Sequence, residues 1–320
     1  MGTQFVLIFV AAVFSVLSTT SSFASTGNVY LLVSVDWEGE SLRAENLKAI
    51  QKFRDKFPQL KLLHFLNAAY FTQPGAEVEA GKRKISSALR PGDELGLHIH
   101  NWKSLVEAAG VSFKDSPTYW GYPLNRDGND QGHEVAPTAY SQEEFRRVVH
   151  FSLETLEKQG FGRAKSFRTG GWLGAPSILS AIAQEGLTLD SSAVPASFLK
   201  GEIGNTPLYR WVAKLWPGIG PSSQPEKIKT SAGWIWEMPD NGALADYMEA
   251  SEMVSVFQTG VSLLRQRDGD VYVQIGFHQE TAEAYLPRVQ SALHSILDLA
   301  KSGSIPLEFV PLPLTEALNQ

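Results

Sequence analysis

Five times along this chain a short apolar run stops on a side chain able to do chemistry. Residues 29–35 run into Asp36 and Glu38, 95–100 carries His98 and His100, 165–168 ends on Arg168, 187–191 carries Asp190, and 271–277 runs into His278. Further apolar runs at 61–67, 233–238 and 307–310 read as strands, and 42–56, 142–159, 175–186, 249–267 and 282–302 read as amphipathic helices. Ser141, with Glu144 three residues on, forms a capping box that opens the second of these. Alternation of buried apolar strands with helices predicts a mainly parallel sheet with helices outside. Parallel strands align their C-terminal ends on one face, where α/β folds build their sites. One polar strand end means little, but five in one chain point to a single site.

The 320 residues exceed the roughly 250 of a barrel-type α/β domain. Residues 111–140 and 200–232, rich in Gly, Pro and aromatics, read as long loops. Loops of that length are functional rims or surface decoration. Residues 5–17 form an apolar run too short to span a bilayer, followed by Ser22-Phe23-Ala24, a small-x-small cleavage pattern. The expectation is a signal peptide over 1–24, although its first residues carry no Lys or Arg, and one catalytic domain over 25–320. The product would be secreted or periplasmic, with no stable membrane insertion after cleavage. A net charge of −6 without a basic run excludes a nucleic-acid partner. The absence of cysteine excludes disulfides and thiolate sites, so any metal must take His, Asp and Glu.

Side chains at i and i+2 of a strand share a face. Asp36 and Glu38 would therefore stand side by side, a repulsion that a shared proton or a cation resolves. His98 and His100 share a face in the same way and form a metal-binding pair. Each pattern has a bland counterpart, a solvated strand end for the acids and a hydrogen-bonded core histidine for each imidazole. Arg168 before a Gly-Gly turn could grip a carboxylate bidentately, or lie in a surface loop. His64, His133, His150 and His294 lack a comparable context and read as structural or surface residues.

Taken in order, SVDWEG at 34–39, GLHIHNW at 96–102, FRTGGW at 167–172, LDSSAVP at 189–195 and IGFHQETA at 275–282 resemble the motifs of the polysaccharide deacetylase, or NodB-homology, family. The resemblance runs from about 29 to 318. It implies an irregular (β/α) barrel, usually of seven strands, and hydrolysis of an N-acetyl or related acyl group on a carbohydrate. Carried over, Asp36 is the catalytic base, Arg168 orients it, His278 is the catalytic acid and Asp190 orients His278. Glu38, His98 and His100 hold a divalent metal, Zn2+ foremost, with Co2+ or Ni2+ as alternatives. Trp102 and Trp172 would contact an N-acylated glycan or amino sugar. The chain departs from the family pattern twice: Trp37 separates the two acids, and position 102 holds Trp where the usual second histidine stands. His100 must then be the third ligand, or the metal is held differently. Two other readings stay open, an allantoinase-like amide hydrolase on the same scaffold and a carbohydrate-binding protein without catalysis. An open groove would favour the glycan, a closed small pocket a small amide.

Overall fold

The computed structural model describes residues 27–124 and 130–319. The expected leader and its cleavage site lie outside the described residues. Among the described residues nine strands form one sheet: β1 Val29–Asp36, β2 Leu62–Asn67, β3 Glu94–Ile99, β4 Ser166–Thr169, β5 Leu189–Asp190, β6 Glu226–Thr230, β7 Gly233–Glu237, β8 Val271–His278 and β9 Leu307–Phe309. Seven run parallel side by side in the order β7-β5-β4-β3-β2-β1-β8. β6 extends the far edge as an antiparallel hairpin with β7, and β9 pairs with the first half of β1. The expected curled α/β architecture is what the chain adopts.

The ten helices among the described residues are α1 Ala44–Lys56, α2 Val78–Ala88, α3 Lys103–Ala108, α4 Gln142–Lys158, α5 Pro176–Gln184, α6 Ala196–Ile203, α7 Pro207–Leu215, α8 Ala250–Leu264, α9 Ala282–Ser302 and α10 Leu314–Ala317. The Ser141 box caps α4 as expected: Ser141 Oγ accepts from the Glu144 amide, and Glu144 accepts from the Ser141 amide. The stretch read as a loop over 200–232 instead contains α7 and β6. Among the described residues of 111–140 there is no helix or strand beyond a single short turn at Pro137–Ala139 and one isolated bridge.

Strand alternation sorts side chains between two environments. Leu31, Val33 and Val35 of β1 and Val273, Ile275 and Phe277 of β8 pack under the helices in the main core. Their neighbours face the inside of the curl, which is filled in layers. Leu32, Leu63, Phe65, Leu189 and Met238, plugged by Val310 and Leu314, make an apolar floor. Above it Ser34, Arg168, Ser191 and Gln274 form a buried hydrogen-bonded layer. The strand ends then carry Asp36, His98 and His278. The chain following β7 closes the curl onto β8, where the Gln274 amide donates to Asn241 Oδ1 and the Gly276 amide to Ala243 O.

Candidate active site

Glu38 stands at the centre of the open end, 8 % exposed. His98 Nε2 lies 3.2 Å from its Oε1, His100 Nε2 and His133 Nε2 each 2.6 Å from its Oε2, and His278 Nε2 3.5 Å from Oε1. The backbone around Glu38 is clamped. Its carbonyl accepts from Trp102 Nε1 at 2.8 Å and Asn67 Nδ2 at 3.1 Å, and its amide donates to Glu280 at 3.2 Å. Trp37 interrupts the two acids without disturbing them, because its side chain goes to the opposite, helix-facing side, where its Nε1 donates to buried His64 Nδ1 at 3.1 Å. Asp36 and Glu38 thus both face the site.

The imidazoles are set by their far nitrogens. His98 Nδ1–H donates to Arg168 O at 2.8 Å and His100 Nδ1–H to His133 O at 2.7 Å. In the neutral tautomer this turns each Nε2 lone pair onto a Glu38 oxygen. Lone pair against lone pair is repulsive, and a bound cation relieves it. A backbone carbonyl on the distal nitrogen is the usual support of a metal-ligating histidine. His100 and His133 stack 3.9 Å apart at 4°, an arrangement unfavourable for two imidazolium cations but suited to two neutral ligands. Two overlapping groups, Glu38–His100–His133 and Asp36–Glu38–His98, each hold their ligand atoms within 4.8 Å of one another. These all-N/O donors fit a divalent metal such as zinc.

Gly170 permits this geometry, since a Cβ there would stand 2.7 Å from His100 Nε2. Burial alone would raise the Glu38 carboxyl, but when His100 carries a proton its charge and the imidazole hydrogen bonds outweigh burial and hold the carboxyl well below the usual carboxylate range. Burial would lower His100, and Glu38 raises it; burial and then the His100 charge push His133 down.

Arg168, fully buried, grips Asp36 Oδ1 from Nη1 at 2.9 Å. Its Nη2 lies 3.6 Å from Asp240, which also accepts from Trp172 Nε1 at 3.0 Å. His278 Nδ1 donates to Asp246 at 2.9 Å, and Thr281 Oγ1 fixes that carboxylate from its other oxygen at 2.7 Å. Burial would lower His278, but the Asp246 charge and hydrogen bond, with Glu38 and Asp36 behind them, push it up to about 10.

Three sequence expectations are corrected. Asp190 does not touch His278; Asp246 does. Leu189 pairs with inward-facing Ser166, so Asp190 is turned to the other face of the sheet, alongside Glu237. There it accepts from Ser192 Oγ at 2.7 Å, and burial raises both acids. Trp102 is buried and serves the Glu38 backbone, while Trp172 does line the cavity. His133, read as structural or surface, stands among the potential ligands.

The cavity measures about 60 Å3 and is lined by Asp36, Glu38, three of the imidazoles, Tyr119, Trp120, Trp172, Leu208, Tyr247 and His278, among others. No family model matches the sequence, and no curated protein does. Among solved structures, a protein described as a polysaccharide deacetylase from Mycobacterium smegmatis superposes with TM-score 0.53 at 12% identity, covering 93% of this chain and 92% of that one. The chain has the polysaccharide deacetylase fold. A family 4 carbohydrate esterase from Streptomyces lividans in complex with acetate gives TM-score 0.41 at 13% identity, over 92% of this chain and 97% of that one. The chitin deacetylase of Colletotrichum lindemuthianum gives 0.45 at 9%, over 89% and 87%. In this deacetylase-type fold the cluster occupies the C-terminal ends of the parallel strands, the position that parallel α/β sheets use for their sites.

Proposed function

We propose that this protein is a metal-dependent hydrolase that removes an N-acetyl or related acyl group from a carbohydrate. The observation that carries the reading is the convergence on Glu38 of imidazole nitrogens whose distal N–H groups are tied to carbonyls, beside an Arg-held aspartate and an Asp-held histidine. Glu38, His98, His100 and His133 would hold the metal, zinc being the ion best matched to N/O donors of this kind. When bound it would polarise the acyl oxygen and lower the pKa of water. Asp36, its Oδ1 fixed by Arg168, takes the proton of the attacking water as the new C–O bond forms. His278, kept protonated by Asp246, gives a proton to the leaving nitrogen as the C–N bond breaks. The products are the carboxylic acid and the free amine.

The small cavity favours a second reading, in which the substrate is a compact amide and not a polymer. We further propose that residues 1–24 are a cleaved signal and that 25–320 act as one exported domain; among the described residues no helix is long and apolar enough to cross a membrane. Incubating the protein with N-acetylglucosamine and with an N-acetylated glycan, and measuring released acetate, tests the function and separates the two readings. Acetate from the glycan supports a polymer substrate, acetate from the monosaccharide alone supports the compact one, and none from either rejects both.

A further inference from the structure

The far edge of the sheet carries a face that the chemistry at the strand ends does not use. In the β6–β7 hairpin Lys227 stands opposite Trp236 and Lys229 opposite Trp234. Directly opposed residues share a face, so two indoles and two ammonium groups lie on one side of the hairpin, with no acid among them. Ile228 and Ile235 take the other side, where α5 packs. The turn is fixed: the Ser231 amide donates to Ser180 Oγ of α5 at 3.3 Å, and Thr230 Oγ1 donates to Gly233 O at 2.9 Å. On the indole side Trp236 leans on the apolar floor of the curl and its Nε1 donates to Asn319 Oδ1 at 3.1 Å, while Lys227 Nζ stands 4.9 Å from its ring centre. Trp234 is left 62 % exposed, and Lys227 and Lys229 are exposed beside it. Trp234 precedes Trp236, which pairs with Leu189, so the face opens towards the start of the parallel strands, away from the cavity at their ends. Lysines on an edge strand keep it from pairing with another chain. That accounts for the cations and not for an indole left in water beside them.

We propose that this face binds an acidic glycan, a chain of carboxylate-bearing sugar rings, at a site separate from the catalytic cavity. An indole face takes the C–H side of a pyranose ring, and the ammonium groups take its carboxylates. The patch is basic on a chain of net charge −6, so it draws an anionic ligand to this one place. Other occupants match the face less well. A second copy meeting it about a two-fold axis would set lysines against lysines. Electrostatic docking on an anionic membrane takes clusters of about four to eight basic residues, and this face has two. The test titrates the protein with an oligogalacturonate, with a neutral cello-oligosaccharide of the same length and with phosphatidylserine-containing vesicles. Only the oligogalacturonate should bind, and less tightly as salt is raised. Trp234→Ala and Lys227→Glu/Lys229→Glu should each lower that affinity about 10-fold or more. Lys48→Glu/Lys52→Glu, on exposed positions of α1, should leave it unchanged. All these variants should melt with wild type, because the altered side chains lie at the surface. No binding by wild type, equal binding of the neutral chain, binding to the vesicles alone, an affinity untouched by the hairpin variants, or an equal loss in the α1 pair would each overturn the proposal. Because binding is read without turnover, this proposal and the deacylase reading stand or fall separately.

Discussion

Glu38 receives imidazole nitrogens from β3, from the loop beyond it and from the 111–140 segment, and each of those residues was legible to a different degree. His98 and His100 were readable because i, i+2 spacing on a strand fixes a shared face. His133 was not, since it sits between Gly132 and Glu134 in a segment with no periodicity to orient it. Asp246 was hidden for the same reason, and Asp190 misled because a two-residue strand leaves its facing to the neighbour's register. His133→Ala should therefore weaken metal binding by about 10-fold or more, as removal of a ligand would, and a competition titration with a chelating dye measures it. His278→Ala should instead keep its metal and lose about 100- to 10,000-fold in turnover, as expected for a general acid. Equal metal loss in both variants would contradict the division of roles. The pH profile carries a further sign. His278 must be protonated to act as an acid, and Asp246, with Glu38 and Asp36 behind it, raises it to about 10. Asp246→Asn removes the largest raising influence. The alkaline limb of kcat should then move to lower pH, and an unmoved limb would show that His278 is not the group titrating.

The strands were the most readable elements, because eight apolar runs bounded by turn residues are all present with ends shifted by only a few positions. The hidden elements have physical explanations. α2 carries only two buried residues, and thus little apolar stripe to detect. α7 did carry a start signal, Thr206 as N-cap with Pro207 following, which the surrounding Gly and Pro content obscured. Two substitutions test how elements serve the site. Ser141→Ala removes the α4 cap far from the chemistry and should cost about 1 kcal/mol of stability at unchanged kcat/KM, measured by denaturant unfolding and acetate release. Gly170→Ala places a methyl group against the His100 ring. Metal affinity should fall in that variant; an unchanged affinity would mean that His100 is not a ligand.

At the scale of the molecule four of the five recurring polar strand ends converge as expected, Asp190 being the exception: a curled parallel sheet gathers residues as distant in sequence as Asp36 and His278 into adjacent register positions. The closing of the curl by the segment after β7, which delivers both Asp240 and Asp246, had no sequence signal because it is neither strand nor helix. The apolar run at 5–17 predicts export, and N-terminal sequencing of protein recovered outside the cytoplasm should begin near Ser25; an intact Met1 on a cytoplasmic product would contradict it. The central claim is that hydrolysis of the acyl amide depends on a metal held at Glu38. Its most direct test follows acetate release against metal content in one preparation as purified, stripped with a chelator and reloaded with Zn2+. The account predicts that turnover disappears with the metal and returns in proportion to zinc bound, approaching one ion per chain; full activity in a verified metal-free preparation would contradict it.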